Sequence, residues 1–92
     1  MTSDTAIHTT KAGGYLQQLC KHFSHKIDVE FSPVAGWIKF DFGCANLTAD
    51  GDILKITVNA DSLEDLDRLK HVLSSHLERF AFREDFQINW SG

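Results

Sequence analysis

CANLTADGDILKITVNA, residues Cys44 to Ala60, is the stretch whose reading decides the fold. In its second half Leu54, Ile56, Val58 and Ala60 alternate with Lys55, Thr57 and Asn59, the two-residue period of a strand buried on one face. Its first half, Cys44 to Ala49, runs into Asp50-Gly51, a dipeptide that tolerates the positive φ angles of a two-residue hairpin turn. The pair predicts an antiparallel hairpin with one face on a core and the other in water.

Working outward towards the N-terminus, the same alternation recurs. Ile38, Phe40 and Phe42 alternate with Trp37, Lys39 and Asp41, and Ile27, Val29 and Phe31 alternate with Asp28 and Glu30 until Ser32 and Pro33 end the run. Before these strands the period changes. Tyr15, Leu16, Leu19, Cys20 and Phe23 fall on one face of an amphipathic helix. Thr9 or Thr10 is placed to cap it, Gly13 and Gly14 weaken its first turn, and Ala6 to Thr9 is a candidate first strand.

Towards the C-terminus, Ser62 is a cap residue followed by Glu64 and Asp65, whose negative charge suits the positive end of a helix. Leu63, Leu66, Leu69, Leu73, Leu77 and Phe80 form the apolar stripe of that second helix. Arg79 and Arg83 lie near its C-terminal end, and Phe86, Ile88 and Trp90 alternate as a final strand. The predicted order is β-α-β-β-β-β-α-β. Helices with one apolar stripe and strands with one apolar face are satisfied together by a two-layer α+β fold, both helices on one side of an antiparallel sheet. The patterns leave strand order open, and closure of the sheet towards a barrel open with it.

Composition fits one domain spanning residues 1–92, with 42% hydrophobic residues and seven phenylalanines to build a core. The net charge of −4 argues against a general nucleic-acid or anionic-membrane surface, since such binding neutralises phosphates with lysine and arginine. Met1 to Thr10 has no apolar leader pattern, and no run approaches the length of a membrane span, so the cytosol is the expected location. There, Cys20 and Cys44 read as small apolar residues and not as a disulfide.

Chemistry, if any, is concentrated in two basic, histidine-bearing segments, Cys20 to Lys26 and His76 to Arg83. At about 100° per residue, His76, Arg79 and Arg83 line up in one row down the last two turns of the second helix. An imidazole and two guanidiniums suit a carboxylate, a phosphate or an anionic chelate. The plainer alternative is that the arginines solvate the helix end and pair with Glu78, Glu84 or Asp85. His22 sits at the edge of the first helix's core face, with His25 and Lys26 on the far side or beyond its end. No paired-cysteine or HExxH spacing marks a metal site, and no phosphate loop or nucleophile elbow marks an enzyme. Catalytic residues are therefore not assigned, although an enzyme stays open as a third reading. Trp37 and Phe82 face away from the core and would suit an interface if they lay together.

The segments YLQQLCKHFSHKIDVEF (Tyr15 to Phe31) and SSHLERFAFREDFQINW (Ser74 to Trp90), joined through ADGDILKITV, resemble the bacterial DUF2218 family over nearly the whole chain. That resemblance carries no defined activity and no catalytic residue. It implies a context of siderophore-interacting flavin reductases and iron uptake, in which the ligand would be an anionic ferric siderophore or haem. His22, His25, Lys26, His76, Arg79 and Arg83 are then the expected ligand-binding residues. The cofactor is left unassigned, and a protein-interaction or homodimerisation module without a small-molecule ligand is the alternative.

Overall fold

A computed structural model describes residues 1–81, 84 and 87–91. Seven elements follow in chain order: β1 (Thr2–His8), α1 (Ala12–Phe23), β2 (Asp28–Phe31), β3 (Ala35–Phe40), β4 (Gly43–Asp50), β5 (Ile53–Asn59) and α2 (Leu63–Phe80). The strands form one antiparallel sheet in the order β1-β5-β4-β3-β2. The fold is thus the expected α+β arrangement, with an open sheet in place of barrel closure.

Register explains the two faces. Across the sheet Val29, Ile38, Ala45, Val58 and Ser3 stand in one row, as do Glu30, Trp37, Asn46, Thr57 and Asp4 in the next. The first row is buried from Ile38 to Ser3. The second is mostly exposed. Both helices lie over the buried face. There Leu16, Leu19 and Cys20 of α1 and Leu66, Leu69, Leu73 and Leu77 of α2 join Ile38, Leu47, Leu54, Ile56 and Val58 in one core. Helix α1 touches β2, β3, β4 and β5, whereas α2 sits over β4 and β5.

The decisive hairpin forms, one residue out of the expected place. Asp50 pairs with Ile53, so the loop is Gly51-Asp52. Gly51 has φ of 59° and no residue other than glycine has a positive φ among those described, which marks a type II′ turn. The β3–β4 connection is equally tight. Phe40 pairs with Gly43, so Phe42 lies in the loop and not in a strand. Gly43, at φ 153°, is required there, because a Cβ would stand 2.5 Å from the Asn59 carbonyl oxygen and 2.6 Å from Leu69 Cδ1.

Three local expectations are corrected. The cap of α1 falls at Lys11, which makes no side-chain cap; Thr9 Oγ1 instead accepts from the Lys11 amide at 3.1 Å, just ahead of the helix. Leu63 is exposed and the stripe of α2 begins at Leu66. Helical side chains lean towards the N-terminus, so that of the first residue extends past the helix end. Finally, no last strand is found among the described residues: residues 87–90 are irregular, and an antiparallel bridge joins Ser91 to Asp4. Ile88 and Trp90 nonetheless pack on the core, while Phe86 lies outside the described residues. Ser62 caps α2 as expected, accepting from the Asp65 amide at 3.1 Å.

Candidate functional site

The two histidine-bearing segments meet where the C-terminal end of α1 approaches the second half of α2. The His22 and His76 rings are 4.7 Å apart between centres and tilted by 54°. Phe23 stands 5.0 Å from each of them. Phe80 lies 6.0 Å from His22 and 6.2 Å from His76. Behind this group Phe23 packs edge-on to Phe40 at 5.1 Å, which ties the imidazoles to the sheet.

Local helix geometry orients His76. Its Nδ1 lies 2.6 Å from the Val72 carbonyl oxygen, one turn earlier. A carbonyl can only accept, so Nδ1 carries a proton, and whenever the ring is neutral the Nε2 lone pair is left for another partner. His22 is exposed, and its imidazole is held below the ordinary histidine range. Desolvation by its neighbours is the first cause, followed by the positive charge of His76, Lys26, Arg79 and His25.

An open hollow of ≈ 320 Å³ adjoins the pair, lined by Gln18, Lys21, His22, His25 and Phe80. Of the six residues singled out from the sequence, His22 and His25 line this hollow, His76 packs against His22 without lining it, and Lys26 and Arg79 act on His22 through their charge. Arg83 lies outside the described residues. Arg79 is exposed and makes no ion pair among the described residues, where Lys70 and Asp67 form the pair found, at 3.8 Å. Glu84, an expected arginine partner, turns the other way: it accepts from Thr9 Oγ1 at 2.7 Å and from the Tyr15 hydroxyl.

The aromatic floor was not legible as part of the site, because Phe23 and Phe80 read as core residues; their half-buried edges serve both purposes. Gln18 and Lys21 carried no signal. Cys20 is fully buried and burial pushes its thiol up to about 11, so it supplies packing and not reactivity. Among the described residues no group of three or more His, Cys, Asp or Glu side chains stands together as a metal site. None of the described helices is long and apolar enough to cross a membrane.

These features define a small two-layer α+β domain with a cationic, histidine-lined surface hollow. The chain belongs to the family described as "Uncharacterized protein conserved in bacteria (DUF2218)", whose model matches residues 4–91. It is similar to the NMR structure of PA4090 from Pseudomonas aeruginosa, with 32% sequence identity and a TM-score of 0.83 over 98% of this chain and 94% of that one. Comparison with curated proteins gives no match.

Proposed function

We propose that this chain is a small binding domain that holds an anionic, partly planar ligand in the hollow beside His22 and His76, with ferric siderophores and haem as the representatives to test. The observation that supports this most directly is the convergence of two separate helices on one spot: the 4.7 Å His22–His76 pair, with the charges of His25, Lys26 and Arg79 around it. Imidazole edges and the Phe80 ring offer a planar ligand a surface, and the lysine and arginine offer its carboxylates partners. In the iron-handling form of this reading, the protein partner is a siderophore-interacting flavin reductase.

Absorbance titration with haem and with a ferric chelate tests the proposal. A His76→Ala, Arg79→Ala double variant, shown to be folded by circular dichroism, is expected to bind at least about tenfold more weakly, the loss of one hydrogen bond to a charged group being roughly 1.5–3 kcal/mol. A folded wild-type chain that binds neither compound would sink it.

One observation favours a second reading, a protein-interaction or homodimerisation module. Phe31, Val34 and Trp37 are 37%, 63% and 37% exposed, and Phe31 and Trp37 border a groove of ≈ 510 Å³. Light scattering on a size-exclusion column separates the readings, since a strict monomer at every concentration weighs against self-association.

A further inference from the structure

The histidine pair has a geometry that anion binding does not require. With metal–nitrogen bonds of about 2.0–2.1 Å, two imidazoles bound cis on one ion have ring centres roughly 4.5–5 Å apart. His22 and His76 stand 4.7 Å apart and are tilted, not stacked flat. His76 also shows the outer hydrogen bond that ligating histidines commonly make, Nδ1–H to a backbone carbonyl, which fixes the tautomer that leaves Nε2 free. Phe23 lies 5.0 Å from each ring and Phe80 flanks both, so neither ring has to be ordered afresh when a ligand arrives.

Two imidazoles hold a hydrated divalent ion only weakly, and here Lys26, Arg79 and His25 add positive charge that opposes one. A chelated ion removes both difficulties. The chelator fills the remaining coordination positions, and its carboxylates bring negative charge towards the lysine and arginine. Among first-row ions, copper and nickel favour imidazole most strongly.

We propose that His22 and His76 act as two cis ligands to a copper or nickel ion that arrives inside an anionic aminocarboxylate-type chelate, with Lys26 and Arg79 facing the chelator. The inference rests on the anion-binding reading for the part played by Lys26 and Arg79, and on the histidine pair for the metal. No bond is made or broken beyond replacement of two coordinated waters by two imidazole nitrogens.

Nickel nitrilotriacetate is the probe, because it is singly negative and leaves two cis positions filled by water. Calorimetric titration of the untagged chain is expected to show one complex bound per chain. His22→Ala and His76→Ala should each weaken binding by at least about tenfold, and the double variant should be little worse than either, since losing one arm already removes the chelate effect. If His76→Ala lowers the far-UV circular dichroism, His76→Gln takes its place, keeping a side-chain amide but no imidazole. Lys26→Gln with Arg79→Gln should weaken the nickel complex and leave binding of hydrated nickel unchanged or stronger.

An exchange-inert cobalt(III) ethylenediaminetetraacetate complex, also singly negative but with every coordination position filled, that binds as tightly as the nickel one would overturn the inference while leaving the anion-binding reading intact. So would nickel binding untouched by either histidine variant. The reverse result, nickel chelate bound through both histidines but haem and ferric chelate not bound, sustains the inference and removes the iron reading.

Discussion

His22 was recognisable in the sequence only as a polar residue at the edge of an apolar face; its counterpart lies in another helix, and helical periodicity says nothing about which residues of two helices meet. What the fold adds is a shifted titration. Desolvation and then the charges of His76, Lys26, Arg79 and His25 disfavour its protonated form. In the unfolded chain His22 takes up its proton near the ordinary pKa of about 6.5, whereas in the folded chain it does so at lower pH. The unfolded state therefore binds more protons between those two values, and stability is lost as pH falls through that window and is fully present above it. Proton NMR should find the His22 ring midpoint below the ordinary value. His76→Gln should move that midpoint upward by removing a like charge; a midpoint that stays in place would show that the ring proximity has no electrostatic consequence.

Elements defined by local pattern were legible from the sequence, and those held by distant contacts were not. The strand period around Leu54 to Val58, the Ser62 cap and the Leu66 to Leu77 stripe are written in neighbouring residues, and each appears in the structure. Strand β1 reaches back to Thr2 although only Ala6 to Thr9 suggested it, because its buried face is Ser3, Thr5 and Ile7, two of them polar. Likewise the start of α1 depends on Glu84, which follows α2 and accepts from both Thr9 and Tyr15. Such a carboxylate ties the two helical segments together with charge-assisted hydrogen bonds. Tyr15→Phe and Glu84→Gln are each expected to destabilise the fold by about 1–3 kcal/mol. In urea denaturation the double variant should lose less than the sum of the two, by at least ~0.5 kcal/mol. Strict additivity would mean that the Tyr15–Glu84 contact contributes nothing to stability.

For the molecule as a whole, the question is how a five-stranded sheet with two edges avoids pairing with other sheets. One edge, β2, is four residues long and carries Asp28 and Glu30, a short and charged edge of the kind that discourages addition of a strand. The other edge, β1, is seven residues long and is covered by the chain's own tail. Asp4 and Ser91 exchange backbone hydrogen bonds of 3.0 and 2.8 Å. Ser3 Oγ donates to the Ser91 carbonyl at 2.5 Å and Thr5 Oγ1 to the Asn89 carbonyl at 2.7 Å, which satisfies the hydroxyls that β1 buries. Trp90 anchors the tail from the other side, donating from Nε1 to Ser74 Oγ of α2 at 2.9 Å. The tail thus does the work expected of a final strand without strand geometry, because one bridge and a set of side-chain bonds replace a ladder. Removing residues 87–92 would strip these bonds at about 1 kcal/mol each and leave two buried hydroxyls unsatisfied. For a chain this size each 1 kcal/mol shifts Tm by roughly 4–8 °C, so Tm is expected to fall by more than about 10 °C. The uncovered β1 edge should also make the truncated chain associate as concentration rises, visible by light scattering. Trp90→Ala separates the two effects: it removes the anchor on α2 while the Asp4–Ser91 bridge can persist, so it should lower Tm without promoting association. A truncated chain that melts with the parent would show that β1 needs no cover from the tail.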